Sequence, residues 1–194
     1  MSGRLRIVGP VIPFGQADVD TDLIIPARYM RTTTREGLGR GAFEALRGTP
    51  GNCFDDPCYR GAPILVAGRN FGCGSSREHA VWALQQIGIE AVVAPSFGEI
   101  FETNALRNGL VPVRLSEDEV EGLLELPPDR HIVVDIIAER VIAPYGEMPF
   151  RLDPFRKHCL VQGLDEIEVT ASYAAQIDAY EERARRERPW EQHP

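Results

Sequence analysis

The sequence lacks the long apolar runs that mark a membrane protein or a secreted one. No apolar run in its 194 residues approaches the roughly 18 residues that a transmembrane helix needs. The first residues, Met1 to Arg6, do not contain the apolar core of a signal peptide. We therefore expect a cytoplasmic protein that is not inserted in a membrane.

Cysteine is scarce, and it is not arranged in pairs. The four cysteines are Cys53, Cys58, Cys73 and Cys159, and no two of them have the Cys-x-x-Cys spacing of zinc and iron–sulfur sites. Cys53 and Cys58 are close enough in sequence for a local disulfide, but a reducing cytoplasm disfavours that bond. The sequence therefore predicts that this chain binds no metal.

Positive charge is also in deficit. Lys and Arg number 21 against 29 Asp and Glu, which gives a net charge of −8. A surface that binds nucleic acid needs a basic face, so we expect no nucleic-acid partner. The deficit does not exclude a local basic pocket for an acidic substrate.

The length predicts one main domain, because domains usually span roughly 100–200 residues.

One glycine-rich stretch, residues 70–80 (Asn-Phe-Gly-Cys-Gly-Ser-Ser-Arg-Glu-His-Ala), organises the chain. The apolar run 63–67 before it predicts a buried strand, the spacing of apolar residues after it predicts a helix, and the run 89–94 predicts a second strand. Gly72 and Gly74 permit a tight turn. The pattern is typical of a βαβ unit whose turn leads into a helix N-terminus.

Ser75, Ser76 and Arg77 follow this turn. Unpaired backbone N–H groups and the helix dipole favour a bound anion there, and a guanidinium matches a carboxylate or phosphate. The pattern alone leaves a second interpretation open, in which Ser75 is the helix N-cap and forms a capping box with Glu78. The stretch is not a Walker loop, because no Gly-Lys-Ser/Thr follows it. It is not a Gly-x-Gly-x-x-Gly motif either, since Arg77 stands where the third glycine would be.

Three blocks in order carry a resemblance to a known family. The stretch 70–80 resembles the swivelling-domain signature of the aconitase superfamily. Residues 18–29 (Asp-Val-Asp-Thr-Asp-Leu-Ile-Ile-Pro-Ala-Arg-Tyr) resemble the small subunits of the isopropylmalate dehydratases within it. So do residues 94–101 (Ala-Pro-Ser-Phe-Gly-Glu-Ile-Phe) with Asn104 and 108–110 (Asn-Gly-Leu). Three ordered motifs are far more specific than one glycine turn.

The resemblance implies an α/β fold, the three-layer β/β/α swivelling domain of the aconitase C-terminal type, over residues 1–170. Residues 171–194 are expected as a C-terminal helix and tail that pack on the domain or on a partner. The implied function is that of the small subunit of a heteromeric hydro-lyase, which interconverts 2-isopropylmalate and 3-isopropylmalate through 2-isopropylmaleate in leucine biosynthesis. The family's [4Fe–4S] cluster is carried by the large subunit. We therefore expect no cofactor bound by this chain, a large-subunit partner and a small dicarboxylate substrate.

The same resemblance implies roles for individual residues. Ser75 matches the catalytic serine, which acts as the base. Ser76, Arg77 and Asp22 are expected to bind substrate, with Arg77 clamping a carboxylate and Asp22 as its partner. Cys73 is interpreted as a packing residue near this site, not as a nucleophile.

A segment rich in glycine, threonine and arginine, residues 29–41, predicts a mobile loop. In the family this loop selects the variable side group of the substrate, and its specificity residues here are Tyr29, Met30, Arg31 and Thr32. Homoaconitases have a similar loop, so a homoaconitase or a methylated-malate dehydratase stays open as an alternative. A non-catalytic module that binds a small anion stays open as a different class.

The rest of the chain gives further expectations. Residues 5–14 alternate weakly and contain two prolines, which predicts a short edge strand. Residues 171–188 predict a helix in which Ile177 and Tyr180 are the packing positions. The remaining predictions are a helix ending at Asn108, a strand over 111–113, a capped helix over 116–126, a hairpin over 131–143 and a short helix over 153–163.

Overall fold

The computed structural model describes residues 5–31, 34–188 and 190. The predicted specificity residue Thr32 lies outside this part of the chain, as does the side chain of Arg31. The strands are β1 (Arg6–Pro13), β2 (Ile64–Val66), β3 (Ala91–Ala94), β4 (Val111–Arg114), β5 (His131–Asp135), β6 (Arg140–Ala143) and β7 (Gly146–Pro149). The α-helices are α1 (Thr21–Ile24), α2 (Glu78–Gln86), α3 (Glu99–Arg107), α4 (Glu117–Leu124), α5 (Pro154–Gln162), α6 (Glu166–Ser172) and α7 (Ala174–Glu187). Short 3₁₀ helices cover Ala27–Arg31, Leu38–Gly41 and Pro57–Tyr59.

The seven strands form one mixed sheet in the order β4-β3-β2-β1-β5-β6-β7. Strands β1 to β4 pair in parallel, and β1, β5, β6 and β7 pair antiparallel. The βαβ unit predicted around the glycine turn is therefore confirmed, since β2 and β3 are parallel neighbours joined through α2.

The prediction that residues 5–14 form an edge strand is wrong, because β1 lies at the centre of the sheet. Its two neighbours use different halves of the strand: β5 pairs with residues 6–10, and β2 pairs with residues 11–13. Pro10 and Pro13 each stand at the last position of one of these ladders. A missing N–H costs little at such an end, so two prolines are compatible with a central strand.

Two apolar cores separate three layers. One core joins β2, β3 and β4 to the antiparallel strands through residues such as Val66, Val93, Val134 and Val141. The other lies on the opposite face of the parallel strands, where residues such as Leu65 and Val92 pack against α2 and α3. The parallel strands of the sheet thus form the middle layer, with the antiparallel strands on one side and the helices on the other. This confirms the three-layer β/β/α arrangement.

Local signals set most of the other elements. The capping box of Ser116 and Glu119 is present at the start of α4, and α5 ends at Gly163 with a left-handed C-cap, as predicted. Strand β7 and helix α6 lie outside the predicted elements. Helix α7 is present as predicted, and its predicted packing positions, Ile177 and Tyr180, are 40% and 52% exposed in this chain.

Among the described residues, no helix combines the length and the apolar character needed to cross a membrane.

A buried carboxylate closes the hairpin of β5 and β6 and gives the first testable prediction. Asp135 is 3% exposed, accepts a hydrogen bond of 2.8 Å from the Ala138 N–H, and pairs with Arg6 at 2.8 Å. The Ala138 N–H, and after it Arg6, lower the pKa of the Asp135 carboxyl against the opposing effect of burial. Such a group stabilises the fold above its unfolded pKa of about 3.9, and this contribution is lost as the pH falls through the lower pKa of the folded state.

We therefore expect Asp135→Asn to lower the free energy of unfolding by about 1–3 kcal/mol at pH 7. The difference from wild type should shrink below about pH 4, where the wild-type carboxyl also gains its proton. Urea unfolding at pH 7 and pH 3 measures both values, with Asp178→Asn on the exposed surface of α7 as the control. A pH-independent difference would mean that shape, not charge, makes Asp135 stabilising.

Candidate active site

The glycine turn lies at the carboxyl ends of the parallel strands, the edge at which open α/β sheets bind ligands. The chain leaving β2 pairs on one side with the chain leaving β1, through a parallel bridge between Asp20 and Cys73. On the other side, Phe71 and Phe97 form a second parallel bridge with the chain leaving β3. The turn is therefore held between two segments that are distant in sequence.

Glycine is required where these segments meet. Gly72 has φ of +74°, and a Cβ built on it would lie 2.6 Å from Cβ and Cδ2 of Phe101. A Cβ on Gly98 would lie 2.5 Å from the carbonyl oxygen of Gly72. Real Cβ atoms do not approach this closely, so both positions need glycine for the backbone to pass.

We expect Gly72→Ala to lower the free energy of unfolding by about 2–4 kcal/mol, because left-handed backbone strain adds to overpacking against Phe101. Gly48 offers a matched control, since its φ is +77° and nothing lies within 4 Å of a Cβ built there. Gly48→Ala should show the strain alone, about 1–2 kcal/mol. Chemical denaturation of the two variants measures the difference, and equal losses would show that the contact with Phe101 does not matter.

The predicted catalytic residue Ser75 is exposed and lies beside a buried threonine. Oγ1 of Thr21 donates to the backbone oxygen of Ser75 at 3.2 Å and lies 3.3 Å from Ser75 Oγ. Thr21 is only 2% exposed, and its N–H donates to the carbonyl oxygen of Cys73 at 3.0 Å. Thr21 therefore fixes both the backbone and the hydroxyl of Ser75. It stands within the acidic block 18–22, in which no sequence pattern marks this threonine as part of a site.

The predicted substrate-binding residues Arg77 and Asp22 are also brought together. Nη1 of Arg77 forms an ion pair with Oδ1 of Asp22. The Arg77 side chain is 15% exposed and that of Asp22 is 56% exposed. Nη1 is buried and faces Asp22, so a ligand has to approach the guanidinium from its other nitrogens. Ser76 is exposed on the same turn.

The interpretation of Ser75 as the helix N-cap is wrong. Helix α2 begins at Glu78, its N-cap is Arg77, and no side chain caps it there. The turn continues past Ser75 because Gly74 has φ of +91° and Arg77 is still extended, with φ of −124° and ψ of 99°. The Glu78 carboxylate does not reach back to the turn but accepts a hydrogen bond of 2.7 Å from Nδ2 of Asn108.

A buried asparagine that sequence reasoning treated only as a C-cap is the centre of a polar network. Oδ1 of Asn108 accepts from Trp82 Nε1 at 2.8 Å and from Arg35 Nη2 at 3.1 Å. The Arg35 guanidinium also lies over the Trp82 ring, 5.0 Å from its centroid. The network ties the segment after residue 33 to α2 and α3. The only sequence signal for it is the position of Asn108 in the third motif block.

The predicted specificity residues lie partly in a 3₁₀ helix, Ala27–Arg31. Tyr29 packs against the core beside Gly41, where a Cβ would lie 2.7 Å from the Tyr29 ring. Met30 is half-buried. Tyr29 is thus held by packing on the core.

Cys73 is half-buried in the turn, as expected of a packing residue. Burial raises the pKa of its thiol, and the nearby Asp20 and Asp18 raise it further. The thiolate needed for nucleophilic attack or metal ligation is therefore disfavoured. In the part of the chain that the structure describes, no three His, Cys, Asp or Glu side chains come together as metal ligands would.

Comparison with known proteins agrees with this geometry. The profile of the Aconitase C-terminal domain matches residues 4–118. The chain is 53% identical over 191 residues to the 3-isopropylmalate dehydratase small subunit of Erythrobacter litoralis, covering 98% of this chain and 96% of that one. It is 50% identical over 185 residues to the protein of the same name from Zymomonas mobilis, covering 95% and 96%.

A solved structure shares the fold. The crystal structure of 3-isopropylmalate dehydratase (leuD) from Methanocaldococcus jannaschii matches with a TM-score of 0.69 at 28% identity, covering 90% of this chain and 99% of that chain. Because identity of about one half extends over nearly the whole of both chains, this chain belongs to the aconitase C-terminal domain family and, within it, to the 3-isopropylmalate dehydratase small subunits.

Proposed function

We propose that this chain is the small subunit of a 3-isopropylmalate dehydratase, a two-chain hydro-lyase of leucine biosynthesis that works in the cytoplasm. The relatives named above support this assignment. The structural observation that carries it is the exposed Ser75 hydroxyl, held by Thr21, on the same turn as the ion pair of Arg77 with Asp22. A base and a carboxylate clamp thereby share one edge of the sheet.

Ser75 acts as the base in this proposal. The reaction breaks a C–H bond of the substrate, forms a carbon–carbon double bond with that electron pair, and releases hydroxide from the neighbouring carbon. The Ser75 alkoxide takes the proton and returns it to the other carbon when water adds back. A serine is a usable base only where donors and positive charge stabilise its alkoxide. The groups of this chain that supply that stabilisation are Arg77, the start of α2 and the Thr21 hydroxyl, whose one hydrogen turns from the Ser75 backbone oxygen to Ser75 Oγ when the alkoxide forms.

Arg77 binds a substrate carboxylate, and Asp22 orients it. A guanidinium donates two parallel hydrogen bonds to a carboxylate, which fixes the position of the carbon that loses its proton. Asp22 pairs with Nη1, which leaves the other guanidinium nitrogens to face the substrate. Ser76 lies exposed beside the same turn and adds its hydroxyl or N–H as a further donor.

The site in this chain alone is one half of an active site. Gly74, Ser75 and Ser76 are exposed, so water reaches the base and weakens the electrostatic stabilisation of an alkoxide. A partner surface placed over this turn removes that water. We propose that the large subunit provides that surface and the acid for the leaving hydroxyl.

Among the described residues, no three His, Cys, Asp or Glu side chains come together as ligands of a cluster would. We propose that the large subunit holds the [4Fe–4S] cluster, which would supply a Lewis acid for the leaving hydroxyl.

The substrate is assigned by comparing three acids. In a complex reconstituted with a large subunit, kcat/KM is measured for 3-isopropylmalate, a homocitrate-type tricarboxylate and a methylated malate. We expect isopropylmalate to be the best substrate, because Met30 offers an apolar surface. Arg31→Ala should then change the preference by no more than about 1–3 kcal/mol.

Arg28→Ala is the matched control, because Arg28 lies in the same 3₁₀ helix but pairs with Glu44. If the tricarboxylate were the best substrate of the wild type and Arg31→Ala reduced turnover of that acid alone, the chain would belong to a homoaconitase. A methylated malate as the best substrate would likewise overturn the assignment to isopropylmalate.

A further inference from the structure

The side-chain amide of Asn108 uses its full hydrogen-bonding capacity. Its Oδ1 accepts from Trp82 and Arg35, and its Nδ2 donates to Glu78 Oε1 at 2.7 Å and to the Asn104 carbonyl at 2.9 Å. An amide has two acceptor positions and two hydrogens, so all four are occupied. Asn108 is 7% exposed. In a buried position this arrangement admits no other common side chain, because a carboxylate lacks the hydrogens and a leucine lacks all four groups.

The partners of Asn108 belong to separate parts of the fold. Glu78 and Trp82 lie on α2, and Arg35 lies in the segment that follows residue 33. Asn108 itself is the C-cap of α3. The amide therefore fixes α2 and this segment relative to α3.

The link to the proposed active site runs through Glu78. This residue is the first of α2 and follows Arg77 directly. Because no side chain caps α2 at Arg77, the hydrogen bond from Asn108 holds the first turn from the side. The direction in which the Arg77 side chain leaves the backbone depends on that turn. Glu78 thus restrains Arg77 through the first turn of α2.

We propose that Asn108 is a positioning residue that sets the orientation of Arg77 through Glu78 and holds the segment 34–41 through Arg35. This inference rests on the proposed function in one respect, that Arg77 binds the substrate carboxylate. The orientation of Arg77 itself can be measured without a partner or a substrate.

The test reverses the polarity of one hydrogen bond. Asn108→Asp keeps the two acceptor bonds, loses the donor bonds to Glu78 and to the Asn104 carbonyl, and places a carboxylate against Glu78. Adding Glu78→Gln supplies an amide N–H that donates back to Asp at position 108, which restores the bond in the opposite sense. Asn104→Asp introduces the same charge one turn earlier on α3 and serves as the control.

Two measurements distinguish a change in the orientation of Arg77 from a general loss of folded structure. In ¹H–¹⁵N spectra of the isolated chain, the Nε–H signal of Arg77 (identified by its absence in Arg77→Lys) should move in Asn108→Asp and return in the double variant. In the reconstituted complex, KM for isopropylmalate should rise about tenfold in Asn108→Asp with kcat within about twofold, and the double variant should recover most of that affinity. Asn104→Asp should change neither. If Asn108→Asp fails to fold, Glu78→Ala, which cuts the same bond, should give the same signal shift and the same rise in KM.

An Arg77 signal and a KM that both stay unchanged, while the Trp82 indole signal moves, would overturn the proposal. So would a double variant that recovers neither quantity. If the wild-type complex turned over no substrate but the Arg77 signal still moved and returned, the proposed function would fail while the positioning of Arg77 by Asn108 would stand.

Discussion

We expect Ser75→Ala to lower kcat of the reconstituted two-subunit enzyme by about 10²–10⁴-fold, because one well-placed base contributes about that factor. The loss should appear in kcat and kcat/KM alike, since the alkoxide acts only in the transition state. The measurement is steady-state turnover of 3-isopropylmalate at saturating large subunit. Helix α2 does not use Ser75 as its N-cap, so the free energy of unfolding should fall by no more than about 1 kcal/mol, the value of its hydrogen bond with Thr21.

A second variant tests whether stabilisation of the Ser75 alkoxide contributes to kcat. Thr21→Val keeps the buried, branched shape but removes the hydroxyl that lies 3.3 Å from Ser75 Oγ. We expect a loss of about 10–100-fold in kcat, because the base remains but loses the hydroxyl whose hydrogen turns from the Ser75 backbone oxygen to the alkoxide. If Ser75→Ala turned over at the wild-type rate, Ser75 would be only a residue of the turn, and another group would be the base.

The second large effect concerns Arg77. Arg77→Lys should lower kcat/KM by about 10–100-fold for every dicarboxylate substrate, because lysine keeps the charge but loses the planar pair of donors. Substrates should keep their order of preference, since they share the carboxylate that Arg77 binds. Parallel kcat/KM measurements with isopropylmalate and a methylated malate test this result.

Asp22→Asn removes the negative charge that pairs with Arg77 but leaves Arg77 in place. The Asp22 side chain is more than half exposed, and such a pair contributes at most about 1 kcal/mol to folding, so the variant should stay folded. We expect a smaller loss than for Arg77→Lys, because Arg77 remains but is less well oriented. If Arg77→Lys changed the order of preference, Arg77 would contact the variable group of the substrate rather than the shared carboxylate.

The βαβ unit was predictable because its signals are local. Apolar runs on both sides of residues 70–80 and the glycines of the turn specify strand, turn and helix within about thirty residues. The start of α2 was not predictable in the same way. Residues 75–78 match a capping box, but Glu78 bonds to Asn108, thirty positions away. A local pattern cannot show that a distant residue competes for the same carboxylate.

The central position of β1 in the sheet was likewise not predictable. The sequence of β1 shows a strand with two prolines, but it does not show that β5 and β2 each pair with only one half of that strand.

The pairing of Arg77 with Asp22 was expected from the family resemblance. The contact of Thr21 with Ser75, 54 positions apart, depends on the crossover that brings the ends of β1 and β2 together.

The most direct test mixes separately purified chains. With its cluster loaded, the large subunit is assayed for hydration of 2-isopropylmaleate alone, with this chain added in increasing amounts, and with Ser75→Ala added instead. We predict that this chain alone is folded but inactive, and that turnover appears with the mixture and saturates at a fixed ratio of the two chains. The mixture with Ser75→Ala should stay at least about 10²-fold slower. Turnover by this chain without a partner, or no turnover by the saturated mixture, would contradict the assignment of a half-site to this chain.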